Sequence, residues 1–271
     1  MAVEFKLMRS LIYVDVAKED YRHRLKDWLC HYHVSDSISQ FGPYVTKYAF
    51  YNALPTPPDG ERFGTIRMQL TEHYWNVNPF SDEATIKAYT EYFPHNVLIW
   101  QGVAPEHLDE SLPLMDGNDV RDRMVFVFVP VFWEKDLKGS ERGIQDGPNY
   151  RWQFVVRYPD GVAIEEGDKW LFDEALAKFK EKKEVRRILT SKIMQEINGS
   201  KYHRVVEMWF DGPIAWHAAA VEATVDIAKP AWAQTDQFPY LEAGTGISSL
   251  FLTDTADSDN LTQHRGHIVM R

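Results

Sequence analysis

The same order of predicted strands and helices occurs twice along the 271-residue chain. The first half has strand patterns and helix patterns in the order βαββαβ, and the second half repeats this order. Predicted strands lie at 5–15, 44–53, 64–75, 124–134, 151–160, 185–193, 202–210 and 247–254, and predicted helices at 18–41, 81–93, 166–183 and 213–228. Because a βαββαβ unit is the ferredoxin-like motif, we expect an α+β fold in which two ferredoxin-like repeats form an α+β barrel around a shared interior.

The boundary between the repeats follows from a stretch rich in Gly and Asp, which is typical of a linker. The first repeat is predicted to span 1–137, the linker 138–149 and the second repeat 150–257. The last residues, 258–271, end in the basic sequence HRGHIVMR and are predicted to form a C-terminal tail.

Charge and cysteine content restrict the partners of this chain. The net charge is −10, which disfavours binding to nucleic acid or to an anionic membrane surface. The single cysteine, Cys30, excludes an internal disulfide and a site built from several cysteines. No secretory signal and no apolar run of about 20 residues is present. We therefore expect a cytoplasmic protein, and the many aromatic residues leave room for a homodimer.

Several segments of the second half resemble the EthD-like branch of the dimeric α+β barrel superfamily. These are EEGDKWL (165–171), VRRILTSKI (185–193) and YHRVVEMWFD (202–211); DWLCHYH and IRMQLTEHYW in the first half match more loosely. The resemblance implies the duplicated fold and a range of activities, from cofactor-free monooxygenases and cyclases to isomerases, dehydratases and lyases. The superfamily also includes haem enzymes and proteins without catalytic activity. The helix histidine of that family falls on His33, whereas Ala175 takes its place in the second repeat.

The stretch DWLCHYHVSDS (27–37) holds the densest group of reactive side chains. On a regular helix His31 and His33 point about 200° apart, so they cannot both bind one metal ion. Cys30 and His33 share a face, but the spacing alone gives no evidence for a nucleophile and its base. We expect His33 to reach a cavity as a catalytic base; the alternative is a histidine with a purely structural role.

Strand alternation supplies the other candidate residues. One face of the third strand carries Arg67, Gln69, Thr71, His73 and Trp75, and we expect this polar face to line the barrel. If Trp209 corresponds to Trp75, Glu207 corresponds to His73. The predicted roles are His33 or His73 as base, Glu207 or His203 as acid, and Arg67 or Tyr13 as the group that stabilises developing negative charge. The alternatives are a solvated strand face and a surface salt bridge. Predicted substrate-binding aromatic residues are Tyr48, Trp75, Trp209 and Trp28.

The function that these residues favour needs no cofactor. The chain lacks a P-loop, a dinucleotide-binding glycine motif and a nucleophile elbow. We therefore predict a cofactor-independent lyase or isomerase that removes a proton from a hydrophobic aromatic or polyketide-like small molecule, followed by elimination, dehydration or ring rearrangement. The alternatives are a cofactor-free monooxygenase of aromatic substrates and a ligand-binding protein without catalysis. Haem binding through one histidine is a further alternative, and no metal site is predicted.

Overall fold

The structure is a computed structural model. It describes residues 8–15, 19, 22–41, 45–75, 125–139, 150–193 and 202–261. The predicted helix at 81–93, nearly all of the linker and the basic C-terminal sequence lie outside the described residues.

Nine strands are described. They are β1 (Met8–Asp15), β2 (Val45–Asn52), β3 (Gln69–Trp75), β4 (Val125–Lys138), β5 (Tyr150–Val156), β6 (Val185–Ile193), β7 (Arg204–Phe210), β8 (Ile247–Leu252) and β9 (Ser258–Asp259). The sequence predicted all of them except β9, with boundaries that differ by a few residues. Residues 258 and 259 were assigned to the tail, but they pair with β2.

Each long helix is interrupted by a π-helical segment. In the first repeat α1 (Arg22–Trp28) continues through π-helical Leu29–His33 into α2 (Val34–Phe41). In the second repeat α3 (Ile164–Trp170) continues through π-helical Leu171–Leu176 into α4 (Ala177–Glu181). A further helix, α5 (Pro213–Ala220), begins with proline in its first turn, where no helical N–H is required. Both π-helical segments start directly after a tryptophan, so the two repeats share this local irregularity.

All nine strands belong to one sheet, in the order β8-β5-β7-β6-β4-β1-β3-β2-β9. The first repeat contributes β4-β1-β3-β2 and the second contributes β8-β5-β7-β6, which is the same internal order. The repeats are joined by antiparallel pairing of β4 with β6. The predicted α+β fold with two ferredoxin-like repeats is therefore confirmed.

The sheet closes through the segment between β2 and β3. Leu54 N donates to Phe251 O at 2.8 Å, and Ile66 N donates to Ser249 O at 2.7 Å. These bonds join the first repeat to β8, at the opposite end of the strand order. The closed sheet encloses an interior that holds an apolar group of side chains from both repeats, including Leu11, Leu70 and Leu250.

The registers of the two repeats can be compared at one shared bulge. Val45 pairs with Trp75 and the register then shifts before Lys47. Val185 pairs with Phe210 and the register shifts before Arg187 in the same way. Counting back from the strand ends, Trp75 corresponds to Phe210, so the predicted match of Trp75 with Trp209 is wrong by one residue.

The same one-residue shift applies to all the other equivalent positions of the third strand. Glu72 corresponds to Glu207, and His73 corresponds to Met208. Because successive side chains point to opposite faces of a strand, a one-residue shift exchanges the two faces. The polar face that the sequence predicted for the barrel interior lies on the outside, under the helices.

Candidate functional site

A network of charged side chains fills the middle of the barrel interior. Arg9 on β1 donates to Glu72 at 3.1 Å and to Glu207 at 2.5 Å. Arg151 on β5 reaches the other oxygen of Glu207 at 3.5 Å. All four side chains are buried. Since isolated charges are very costly to bury, these arginines and carboxylates depend on one another.

Lys47 extends this network on the side of the first repeat. Its Nζ donates to Glu72 Oε2 at 2.8 Å and to Tyr51 Oη at 2.6 Å. Burial alone would raise the pKa of Glu72, but Arg9 and Lys47 together lower it to about 2. Glu72 is therefore a permanent carboxylate near neutral pH.

The network follows the internal repeat. Arg9 pairs in register with Tyr74, and Arg151 with Trp209, so Arg9 and Arg151 are equivalent, as are Glu72 and Glu207. Each arginine contacts the other repeat at an equivalent position of the second strand. Arg9 donates to Ser191, whereas Arg151 lies 4.7 Å from the ring of Tyr51, which is the equivalent of Ser191. Arg9, Glu72 and Arg151 were not predicted from the sequence, because the bulges that align the two repeats are seen only in the folded sheet.

A second polar group lies on the outer face of the first repeat. His73 Nδ1 is 3.1 Å from Ser10 Oγ, and Trp75 Nε1 donates to the same oxygen at 3.0 Å. The ring of Tyr48 packs against His73 with centroids 4.4 Å apart. All four side chains are buried. We call Ser10, Tyr48, His73 and Trp75 the outer cluster.

The outer cluster lies beneath α2. Ser37 on α2 is buried, and a hydrogen bond to Ser37 affects the phenol of Tyr48. Burial raises the pKa of Tyr48 well above its ordinary value, and the bond to Ser37 offsets only part of this rise. Tyr48 is therefore a neutral proton donor at physiological pH.

Two further predicted residues belong to the helical segments before α2. Trp28 ends α1 and His33 ends the π-helical segment; their side chains lie outside the described part of the structure. Leu29 and Ser37, which are four residues before and after His33, are both buried. The equivalent of His33 in the second repeat, Ala175, is buried in the helix layer. His33 therefore occupies a helix position that faces the sheet in the second repeat.

Other residues of this stretch are not in the layer under the helix. The side chain of His31 is 71% exposed and is 3.6 Å from Asp27. Burial raises the pKa of the Cys30 thiol, the opposite of what an activated nucleophile needs. Neither His31 nor Cys30 therefore has the surroundings of a catalytic group.

The predicted pairing of His73 with Glu207 is not formed. His73 lies on the outer face with Ser10, whereas Glu207 lies in the interior with Arg9. Tyr13 is also in the interior, where burial and Glu207 raise its pKa well above the ordinary value. The structure therefore divides the predicted acid–base residues between two faces of the sheet.

Three predicted residues lie apart from both groups. The side chain of Arg67 is 59% exposed and approaches Asp15 before β3 begins. His203 stacks on Tyr158 with centroids 4.9 Å apart and accepts a hydrogen bond from Tyr158 N. Burial lowers the pKa of His203, so its imidazole is neutral near pH 7.

The third of these residues is Trp209, which lies two positions after Glu207 on the inner face of β7. Its Nε1 donates to Asp254 at 2.5 Å, and the guanidinium of Arg187 lies 5.1 Å from its ring. These contacts occupy both the ring face and the polar edge of Trp209. It does not adjoin the outer cluster, which contains two of the predicted aromatic residues, Tyr48 and Trp75.

The described residues contain neither a group of metal ligands nor a membrane-spanning helix. Within the described ranges, no three His, Cys, Asp or Glu side chains are grouped as a metal ion would require. None of the helices in the described part of the chain has the length and hydropathy of a membrane-spanning helix.

Comparison with known families identifies one match. The model of the chalcone isomerase N-terminal domain matches residues 5–106, which is less than half of the chain and falls within the first repeat. This is not the EthD-like family that the sequence patterns indicated. No curated protein sequence matches the chain.

Solved structures resemble the chain over most of its length. An anthrone oxidase-like protein has 13% identity and a TM-score of 0.48, and covers 96% of this chain and 97% of its own. Chlorite dismutase from Candidatus Nitrospira defluvii in complex with imidazole has 8% identity and a TM-score of 0.43, and covers 95% of this chain and 92% of its own. At these TM-scores the likenesses carry no argument about function.

Proposed function

We propose that this chain is a cofactor-independent isomerase that interconverts an aromatic α,β-unsaturated ketone of the chalcone class with its cyclic isomer. The observation that carries the proposal is the position of the outer cluster. It lies in the repeat that matches the chalcone isomerase N-terminal model, under the helix that holds His33. The second repeat has Trp152, Met208 and Ile188 in place of Ser10, His73 and Tyr48.

The reaction needs a base and a proton donor but no oxidant. In the ring-opening direction a base removes the proton from the carbon next to the carbonyl, and the electron pair forms an enolate. The enolate then collapses to the conjugated double bond, while the bond from the β-carbon to the ring oxygen breaks and leaves a phenolate. The phenolate takes up a proton, so that no atom is gained or lost. Ring closure is the reverse.

We assign the base to His33. Its equivalent in the second repeat, Ala175, is buried in the helix layer, and this supports the assignment. An imidazole has a pKa suited to accepting a proton near neutral pH.

We assign supporting roles to the outer cluster. Tyr48 remains protonated and can donate to the carbonyl oxygen as negative charge develops there. Trp75 holds Ser10 Oγ through its Nε1, and Ser10 can then donate to His73 Nδ1 and fix the ring in the Nε2–H form. The rings of Tyr48 and Trp75, and the position of Trp28, suit a flat aromatic substrate.

The test is an isomerisation assay with a panel of 2′-hydroxychalcones and the matching flavanones. Wild type is expected to change the chromatographic retention of the compound without changing its mass, with or without oxygen. His33→Ala is expected to lower kcat/KM by about 10²- to 10⁴-fold, the usual contribution of a general base. His31→Ala, an exposed histidine on the same segment, is the matched control and should retain activity.

Two outcomes would overturn the proposal. A product heavier by one oxygen atom, formed only in air, would indicate the monooxygenase alternative. Binding of the compounds with no conversion by wild type would indicate a ligand-binding protein.

A further inference from the structure

The barrel interior contains buried hydrogen-bonding groups that the charged network does not use. Arg151 Nε and Nη2, Tyr13 Oη, and both amide atoms of Gln153 have no hydrogen-bond partner among the described residues. The three residues are at most 5% exposed. A buried donor without a partner costs about 1–3 kcal/mol and more when it is charged, so several in one place indicate that a bound species satisfies them.

These groups lie on the same face of the sheet. Arg151 and Gln153 are two residues apart on β5 and share its inner face, and Gln153 pairs in register with Glu207. Tyr13 lies in the same interior, where burial and Glu207 raise its pKa well above the ordinary value while Arg9 and Arg151 lower it. The unused groups thus all face the barrel interior.

The geometry of Arg151 specifies the kind of ligand. Its only hydrogen bond among the described residues is the long one from Nη1 to Glu207, at 3.5 Å. The unused atoms, Nε and Nη2, form one edge of the guanidinium plane, whose two N–H groups are parallel. Two parallel donors match the two oxygens of a carboxylate.

We propose that the barrel interior is a binding site for a small monocarboxylate, held by the Nε/Nη2 edge of Arg151 with Tyr13 and Gln153 as further donors. This site is distinct from the outer cluster, because it lies on the other face of the sheet and takes groups from both repeats. It does not depend on the proposed isomerase activity.

The test measures thermal unfolding of the full chain in sodium formate, sodium acetate and sodium chloride at equal ionic strength, together with calorimetric titration of formate. A ligand that binds only the folded state raises the unfolding temperature in a saturable way. We expect saturation with formate and acetate at one ligand per chain, and a smaller, non-saturable effect of chloride.

Variants assign the effect to the site. Arg151→Gln is expected to weaken formate binding about tenfold or more, because it removes the charged edge. Tyr13→Phe keeps the buried ring and is expected to weaken binding by about three- to tenfold, and it serves as the test if Arg151→Gln does not fold. Arg157→Gln is the control, because Arg157 pairs with the exposed Asp160 outside the barrel.

Three results would overturn the proposal. One is the absence of a saturable effect in wild type, which would mean that water fills the interior. Another is an equal effect of formate and chloride, because a spherical ion does not need the two-donor edge. The third is unchanged formate binding in Tyr13→Phe.

Discussion

The two repeats are alike in the barrel interior and different in the layer between sheet and helices. Arg9 and Glu72 of the first repeat have Arg151 and Glu207 as their equivalents. In the helix layer, by contrast, the second repeat is apolar, with Trp152, Met208 and Ile188 in a single hydrophobic cluster. The equivalent positions of the first repeat carry Ser10, His73 and Tyr48.

This difference distinguishes buried polar residues that the fold requires from buried polar residues that are candidates for a function. A charged pair that occurs in both repeats, and that crosses between them through Arg9 and Glu207, has a role in holding the repeats together. A buried histidine that occurs in only one repeat is not required by the fold, since Met208 fills the same place in the other. Substitutions in the two groups of residues should therefore have different effects on stability and on activity.

The strongest effect is expected from breaking the shared interior. Glu72→Gln leaves Arg9 and Lys47 facing a neutral amide in a buried site, and we expect it to lower the free energy of unfolding by about 3–5 kcal/mol. Urea denaturation followed by fluorescence would measure the loss. The control is Asp160→Asn, which removes the exposed partner of Arg157 and should change stability by less than about 0.5 kcal/mol. A loss below about 1 kcal/mol in Glu72→Gln would show that the network is not structural.

Acid should weaken the same network. The folded pKa of Glu72 is about 2, below the ordinary value of 4.5, so its contribution to stability is fully present above pH 4.5. That contribution is lost as the pH falls from about 4.5 towards 2. Thermal unfolding across this range should show a steeper decline in wild type than in Glu72→Gln. Parallel curves for the two proteins would contradict the assignment.

Replacing His73 by its counterpart tests the other half of the comparison. His73→Met introduces the side chain that the second repeat has at this position, and we expect it to lower isomerase activity by about 10- to 100-fold by removing the support of the outer cluster. Stability should change by less than about 1.5 kcal/mol, because the two side chains are similar in volume. Met208→Leu in the second repeat is the matched control and should retain activity. Full activity in His73→Met would exclude a role for the histidine.

The smallest effect is expected at Ser10. Ser10→Ala removes the oxygen that links Trp75 to His73, but leaves both rings in place. We expect a three- to tenfold loss of kcat, on the order of 1 kcal/mol, with little change in KM. Steady-state kinetics separates the two parameters. A rise in KM at constant kcat would instead indicate that Ser10 acts in substrate binding.

Local sequence pattern was enough to predict the repeated strand order and the strand at Val185–Ile193 to the residue. These features depend on the local periodicity of apolar and polar residues, which is visible in a single sequence. The tertiary structure decided which face of each strand is enclosed. Alternation shows that Glu72 and His73 point to opposite faces but does not say which face the helices cover.

That decision rests on long-range pairing. The bulges before Lys47 and Arg187 set the register of both repeats and shift the correspondence with β7 by one residue. Closure of the sheet then brings Arg9 against Glu207, 198 positions apart in sequence. Burial of a charge is tolerated only where an opposite charge arrives from elsewhere in the chain, so only the assembled barrel shows that these four charged residues belong together and that His73 does not belong with them.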